Sequence, residues 1–289
     1  MRHSMVIPAI VLIGAVTGCS GAPDTVLAQL VESRRLAGDL LVQFTKAADA
    51  GNRAVMADTD ETSIAYAREA EQATASLQKD RDALKALLTS LGYDSESGLL
   101  DEFDRGFADY QKLDRTILAL AVENTNLKAQ RLSFGEAQHA ADAFQDALRT
   151  VGSRNPADEW HVRALVATAV AGVREIQVLE APHIAEAEDA AMTRLEARMT
   201  AAETSVQRAL GDMASVINPE SRSRLAAATA ALSEFKNVNA QIVDLSRRNS
   251  NVRSLALSLG QKRTLTATCE ASLNSLQAAL AQRGFVATR

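Results

Sequence analysis

One stretch of this sequence occurs twice, and this internal repeat constrains the fold more than any other feature. Residues Ile117–Gly135 (ILALAVENTNLKAQRLSFG) align with Ile242–Gly260 (IVDLSRRNSNVRSLALSLG) at an offset of 125 residues and without a gap. Seven of the nineteen aligned positions are identical, and apolar positions also pair on both sides of the stretch. The apolar pairs outside it are Phe107/Leu232, Tyr110/Phe235, Leu113/Val238, Leu148/Leu273 and Val151/Leu276. A self-match at a fixed period predicts two copies of one structural unit.

Each copy is expected to consist of amphipathic helices that flank a tight turn. Before the turn, apolar residues recur at spacings of three and four, as on one face of a helix. In the first copy these are Phe103, Phe107, Tyr110, Leu113, Ile117 and Leu120. The turn itself is Asn124-Thr125-Asn126, repeated as Asn249-Ser250-Asn251. Asparagine tolerates the left-handed backbone region and caps helix starts, so a structural turn is the preferred interpretation and a ligand contact the alternative.

Composition agrees with a helical fold and argues against nucleic acid as a partner. Aromatic residues make up only 4% of the chain, and prolines number five. That bias favours long helices over β-sheet. The formal net charge is −5, and removing residues 1–18 with Arg2 leaves 30 basic against 36 acidic residues, or −6. This balance lacks the basic surface that nucleic-acid binding requires.

The first residues of the chain are expected to be a targeting signal. Val6–Val16 is an apolar run of eleven residues after a basic start, which is too short for an ordinary membrane span and typical of a signal peptide. Val16-Thr17-Gly18-Cys19 is similar to a bacterial lipobox, which implies that residues 1–18 are removed and that Cys19 carries lipid. The alternative is an ordinary signal peptide with an incidental cysteine. Ser20 after the cysteine favours the outer membrane over the inner one, and residues 19–24 form a tether.

The rest of the chain predicts an all-α protein of two tandem antiparallel four-helix bundles. Four apolar stripes precede the segment Ser153–Pro156 and four follow it, with short polar connections between them. We therefore expect one bundle over residues 25–153 and a second over residues 154–289. Pro182 lies where the repeat places the turn between the first two predicted helices of the second copy, so it either marks that turn or kinks one continuous helix.

Each predicted bundle resembles the extracytoplasmic sensor domain of methyl-accepting chemotaxis proteins. In that family the third helix ends in an aromatic-then-aliphatic run, a short polar turn follows, and the fourth helix opens with small residues. Tyr110–Ser133 and Phe235–Ser258 match this layout, although the family often has a glycine-acidic pair where this chain has its asparagines. The resemblance implies ligand sensing or partner binding, without the family's cytoplasmic signalling half.

Motifs for catalysis and for cofactors are absent from the sequence. It contains no glycine-rich phosphate loop, nucleophile elbow, HExxH or CxxCH motif. We therefore expect no enzymatic activity and no cofactor. His139, His161 and His183 are spaced by 22 residues, which predicts exposed or helix-end histidines, with a metal site as the alternative.

Cys269 and Trp160 belong to the rarest residue types of this chain, and both are expected to have structural roles. Cys269 falls on an inner stripe and is expected to be a small buried hydrophobe, with a redox or intermolecular role as the alternative. Trp160, the only tryptophan, is expected to seal the junction between the domains, with ligand stacking as the alternative.

Two arginines interrupt the apolar stripes of the first copy and are the candidate ligand-binding residues. Arg34 continues the apolar stripe of the first predicted helix (about residues 25–56) and Arg81 that of the second (about residues 62–91), at matched distances from the helix ends. We expect both to face the interior at one height, with Asp142 or Asp109 within reach. One interpretation is an internal salt-bridge layer, and the other is a site for a small anionic ligand.

The sequence as a whole predicts a lipid-anchored, sensor-like or adaptor protein on the periplasmic side of the cell envelope. It would bind a small ligand or a partner receptor. The alternative is a structural envelope lipoprotein that contacts other proteins through its helix faces, without a small ligand.

Overall fold

The computed structural model describes residues 22–286, and that part of the chain is almost wholly helical. The helices are α1 (Ala22–Met56), α2 (Asp60–Leu91), α3 (Asp94–Glu123), α4 (Thr125–Leu132, a π-helical turn at Ser133–Ala137, and Gln138–Leu148), α5 (Glu159–Ala185), α6 (Asp189–Val216), α7 (Arg222–Arg248) and α8 (Ser250–Leu257, a π-helical turn at Ser258–Lys262, and Arg263–Val286). Short 3₁₀ turns at Pro156–Asp158 and Pro219–Ser221 precede α5 and α7. The predicted all-α fold is confirmed.

The repeat reappears as matched irregularities of the backbone. Asn124 and Asn249, 125 residues apart, have φ angles of 50° and 56°, so each is a single left-handed residue between two helices. The π-helical turns also begin 125 residues apart, at Ser133 and Ser258. Asparagine is among the few residues other than glycine that adopt the left-handed region readily. The predicted turns at these asparagines are therefore present.

Two four-helix bundles with separate cores account for the described residues, but each bundle takes helices from both copies of the repeat. Bundle A consists of α1, α2, α3 and α8, and bundle B consists of α4, α5, α6 and α7. In bundle A, Phe44, Phe107 and Tyr110 pack directly against one another, and Leu273 and Leu276 of α8 belong to the same core. Bundle B is thus a continuous segment inserted between α3 and α8.

The predicted bundles over residues 25–153 and 154–289 are therefore wrong about which helices share a core. The reason lies in the length of the links at Asn124 and Asn249. A hairpin of two antiparallel helices needs a loop of about two to five residues. A single left-handed residue is too short to fold α4 back against α3, so the chain passes into the other bundle. Longer connections, such as residues 57–59 and 186–188, reverse the chain within a bundle.

Small residues let neighbouring helices approach closely in both bundles. Alanines line the contact between α1 and α2, among them Ala47, Ala50, Ala54, Ala67, Ala70 and Ala73. In bundle B, a Cβ atom at Gly172 would lie 2.5 Å from Val206 Cγ2, so only glycine fits at this contact of α5 with α6. Close packing of this kind makes each bundle intolerant of larger side chains at these positions.

Two smaller observations complete the fold. Pro182 lies inside the last turn of α5, which continues to Ala185, so the turn falls at residues 186–188 and not at the proline. Among the helices of residues 22–286, none has an apolar stretch long enough to cross a membrane.

Candidate functional site at the joint between the bundles

The two asparagine motifs meet where the bundles join, and each caps the helix of the other copy. The Thr125 N–H donates to Ser250 Oγ at 3.0 Å, and the Ser250 N–H donates to Thr125 Oγ1 at 3.0 Å. The Asn126 N–H donates to Asn251 Oδ1 and the Asn251 N–H to Asn126 Oδ1, both at 3.1 Å. These contacts satisfy N–H groups that the starts of α4 and α8 cannot pair internally. We call this arrangement the crossing.

The crossing also holds the connection between α5 and α6. Asn126 Nδ2 donates to Asn249 Oδ1 at 2.9 Å and to the carbonyl oxygen of Ile184 at 2.6 Å. Asn249 Nδ2 donates to the carbonyl oxygen of Glu186 at 2.8 Å. A movement of either bundle relative to the other would have to break the Thr125–Ser250 and Asn126–Asn251 hydrogen bonds of the crossing.

A groove opens on each bundle beside the crossing, where a π-helical turn faces α1 or α5. Groove A, of about 400 Å³, is lined by Asn52, Val55, Met56, Leu255, Ser258, Leu259, Lys262, Arg263, Thr266, Ala267 and Glu270. Groove B, of about 300 Å³, is lined by Asn126, Leu127, Gln130, Ser133, Phe134, Ala181, Ile184, Ala185, Asn251 and Val252. The repeat relates the two, since Leu259 and Phe134 are equivalent and are 67% and 70% exposed. Isolated π-helical turns occur often at functional sites.

Under groove A lies a cluster of polar side chains that we call the polar trio: Tyr110, Asp114 and Lys262. Lys262 is only 2% exposed, and its Nζ lies 2.7 Å from Asp114 Oδ1, at ion-pair distance but without the alignment of a hydrogen bond. The same Nζ lies 5.6 Å from the centre of the Tyr110 ring. The Tyr110 hydroxyl has no hydrogen-bond partner within residues 22–286, and burial raises its pKa.

The equivalent layer of bundle B is built without these charges. The repeat partners of Tyr110, Asp114 and Lys262 are Phe235, Asn239 and Ala137. Phe235 and Ala137 are fully buried in the core of bundle B. The bundle architecture therefore does not require a buried ion pair at this height.

Bundle B instead carries a buried acid next to its π-helical turn. Glu180 on α5 has no solvent exposure, and its Oε2 accepts a hydrogen bond from Ser133 Oγ at 2.5 Å. Its Oε1 has no partner among the described residues. Burial raises the pKa of Glu180 to about 7, although the Ser133 hydrogen bond acts in the opposite direction. The carboxyl group is thus poised to titrate near neutral pH.

A second buried network joins α5, α6 and α7 near the joint. His183 contacts Ser246 Oγ through Nδ1 and Glu196 Oε1 through Nε2, both at 2.8 Å. Arg247 Nε donates to the same Glu196 oxygen at 2.6 Å and holds the pKa of Glu196 below its usual value. Serine, histidine and glutamate also form catalytic arrays, but here Ser246 and His183 are fully buried and Ser246 Oγ donates back to the His183 carbonyl oxygen. The network fastens the end of α5 to α7.

The structure separates the two arginines that the sequence places in one layer. Arg34 donates through Nε to the carbonyl oxygen of Leu280, at the contact between α1 and α8. Arg81 pairs with Asp82 at 2.7 Å and approaches Asp104 at 3.7 Å, at the contact between α2 and α3. These contacts lie on opposite sides of bundle A, so no shared anion site forms.

The acids predicted to complete that layer lie elsewhere as well. Asp142 belongs to bundle B, where Arg174 pairs with it at 2.6 Å, and Asp109 is exposed on α3. The predicted charged layer is wrong because its heights were matched on the assumption that α4 packs with α1 and α2. The inner positions of bundle A come from α8, which brings Lys262 into the core.

The remaining predicted residues have mixed outcomes. Cys269 is fully buried, as predicted, and burial raises the pKa of its thiol to about 12. Trp160 is 80% exposed at the outer end of bundle B, so the prediction that it seals the junction is wrong. His139 and His161 are exposed while His183 is buried, and residues 22–286 contain no metal-binding cluster of three or more His, Cys, Asp or Glu. Cys19 lies outside the described residues.

Comparison with protein-family models, with curated proteins and with solved structures found no match. The resemblance to chemoreceptor sensor domains therefore stays a prediction. The joint combines the crossing, the two grooves and the buried polar groups beneath them.

Proposed function

We propose that this chain is a lipid-anchored, sensor-like or adaptor protein of the periplasm that binds a small ligand or a partner receptor. The observation that carries the proposal is groove A, which opens over the incompletely paired Lys262 next to the crossing. Grooves with an apolar wall and a few convergent polar groups are the usual form of a small-molecule site.

The position of groove A supports a sensing role. Its walls come from α1 and α8, and α8 continues from the π-helical turn at Ser258–Lys262 back to Ser250 at the crossing. A ligand that contacts both walls would act on the helix whose first residues are capped by α4. Binding can shift the arrangement of the bundles only if the ligand favours one arrangement over another, which a site at the joint allows.

The proposed anchor suits this arrangement of the bundles. Helix α1 begins at Ala22, and Arg34 in its fourth turn donates to the Leu280 carbonyl oxygen near the end of α8. A tether from Cys19 would hold this outer end of bundle A at the membrane. Helices of about 30 residues are roughly 45 Å long, so the joint would stand well above the lipid surface and bundle B beyond it.

Two measurements test the proposal. A Cys19→Ala chain should incorporate no acyl label while the unaltered chain does, and equal labelling of both would refute the anchor. A thermal-shift screen of small carboxylates, amines and aromatic acids should find a compound that raises Tm, because a ligand that binds only the folded state stabilises it by RT ln(1 + [L]/Kd).

The outward face of α5 favours a second candidate function, that of a structural envelope protein acting through its helix faces. Trp160 and Val178 on this face are 80% and 73% exposed, and the residues Ala164–Val173 carry no charge, although exposed Glu175 lies next to Val178. The matching face of α1 is covered by exposed ion pairs such as Arg35 with Asp39. Large apolar side chains exposed on one helix face are typical of a protein-binding surface.

The two candidates can be separated by one pair of variants. If the α5 face binds an envelope protein, Val178→Glu should abolish co-purification with crosslinked envelope complexes, whereas Val42→Glu on the exposed face of α1 should not. No ligand-dependent thermal shift is expected in that case. Unchanged co-purification of the Val178→Glu chain would exclude the α5 face.

A further inference from the structure

The polar trio has more hydrogen-bonding capacity than the protein satisfies. Lys262 offers three N–H donors, and Asp114 lies near only one of them, without good alignment. Asp114 Oδ1 and the Tyr110 hydroxyl likewise lack a hydrogen-bond partner within the described part of the chain. Buried polar groups are normally paired, and a charge left incompletely paired in a core is destabilising. A site with unused donors is suited to receive an acceptor from outside.

We propose that the polar trio and groove A form one binding site for a small carboxylate with an apolar body. This inference rests on the ligand-binding function proposed above and names its ligand class. Lys262 belongs to both parts, since it lines the groove and its Nζ reaches Asp114. Lys262 Nζ and the Tyr110 hydroxyl are buried beneath the groove, so the carboxylate would have to insert past the groove floor to offer them its two acceptor oxygens. Hydrogen bonds between charged partners are among the strongest in proteins.

The apolar side chains that line groove A favour a ligand whose body is apolar. Val55, Met56, Leu255 and Leu259 line the groove, and Met56 and Leu259 are 71% and 67% exposed. A ligand that covers these side chains removes apolar surface from water, which favours binding. Methionine adapts easily to different shapes, so a branched or aromatic body would be accommodated.

The backbone next to the trio is adapted to the lysine. A Cβ atom at Gly51 of α1 would lie 2.4 Å from Lys262 Nζ, so the glycine leaves room for the ammonium group. In bundle B, Phe235, Asn239 and Ala137 take the places of Tyr110, Asp114 and Lys262. Because the same fold is built there without the charges, the bundle architecture does not require the trio.

The chain itself supplies the variant that tests this site. Replacing the trio by its bundle B counterparts, Tyr110→Phe, Asp114→Asn and Lys262→Ala together, removes the donors. A second variant, Lys262→Met with Asp114→Leu, keeps the volume and guards against a folding defect in the first. Lys236→Met, which removes a partly exposed lysine of bundle B that pairs with Glu203, is the charge control. Circular dichroism establishes that each full-length chain is folded.

Isothermal titration with sodium isovalerate and sodium benzoate measures binding, and isovaleramide and benzamide serve as uncharged counterparts. The unaltered chain and Lys236→Met should bind at least one of the two acids. The matching amide should bind about 10-fold or more weakly, as expected for the loss of a charge-assisted hydrogen bond. Both trio variants should lose acid binding.

Three outcomes would overturn the inference. Acid binding that survives in a folded trio variant places the site elsewhere. Equal affinity for acid and amide removes the role of the charge. Failure of both acids to bind refutes the ligand class, and the broader thermal-shift screen then decides the proposed function separately. A non-carboxylate ligand whose thermal shift is lost in the trio variants would keep that function, whereas a screen without any shift would count against both.

Discussion

At the residue scale, the buried carboxyl group of Glu180 makes the free energy of unfolding depend on pH. Below pH 4.5 its carboxyl group is neutral in both the folded and the unfolded chain, so it contributes no pH dependence. Between 4.5 and about 7 the unfolded chain loses this proton while the folded chain keeps it. Rising pH therefore favours the unfolded state across this window, and the contribution levels off above it. The shift corresponds to roughly 3 kcal/mol.

We predict that Glu180→Gln removes this loss of stability. Urea unfolding at pH 5 and pH 8 should show a smaller decrease in the free energy of unfolding for Glu180→Gln than for the unaltered chain. The difference should amount to about 3 kcal/mol at most, because burial is complete and only Ser133 compensates the charge. Glu175→Gln, on the exposed side of the same helix, serves as the control. An unchanged pH profile in Glu180→Gln would show that another group dominates.

At the element scale, the crossing makes the starts of α4 and α8 depend on each other. We predict that Thr125→Ala and Ser250→Ala each lower the free energy of unfolding by about 1 kcal/mol, the usual effect of losing a helix cap. Because the two hydroxyls cap reciprocally, the double variant should lose less than the sum, with a coupling of at least about 0.5 kcal/mol. Urea unfolding of the unaltered chain, the two single variants and the double variant measures this coupling.

The matched control for this cycle is the cap of α2. Thr59 Oγ1 accepts from the Thr62 N–H at 3.1 Å, within one connection and without the other copy. Thr59→Ala combined with Ser250→Ala should therefore be additive. If the losses in the free energy of unfolding for Thr125→Ala and Ser250→Ala are also additive, the crossing does not couple the two helices.

At the scale of the whole molecule, the exchange of helices determines where the chain can be divided. A fragment of residues 124–249 contains every helix of bundle B and should melt cooperatively on its own. Residues 22–124 joined to 250–286 by a short glycine linker should form bundle A. Cutting between residues 153 and 154 should instead yield two fragments that do not fold separately, because each loses a helix of its core.

Circular dichroism melts and size-exclusion chromatography of the four fragments test this division. Mixing the two halves cut at 153 and 154 should restore a folded complex. If residues 22–153 alone give a monomer with a cooperative transition, α4 can replace α8 in bundle A. The single-residue link at Asn124 would then not be what forces α4 into bundle B and α8 into bundle A.

The sequence by itself determined the elements of this protein. Apolar spacing predicts the helices, the 125-residue offset predicts the equivalence of Asn124 and Asn249, and the residue type predicts their turns. These features depend on neighbours within a few positions along the chain, which the sequence displays directly. Lys262 also stands on the inner stripe of α8 with Leu265 and Cys269, a signal that could have marked it as buried.

Only the tertiary structure decided which helices share a core. An amphipathic stripe shows that a helix buries one face, but not against which partner, since apolar side chains attract one another without direction. The single-residue links at Asn124 and Asn249 carry α4 and α8 into opposite bundles. That choice separates Asp142 from Arg34 and Arg81. It also brings Lys262 next to Asp114, 148 residues away along the chain, because packing and not sequence distance sets the neighbours of a buried side chain.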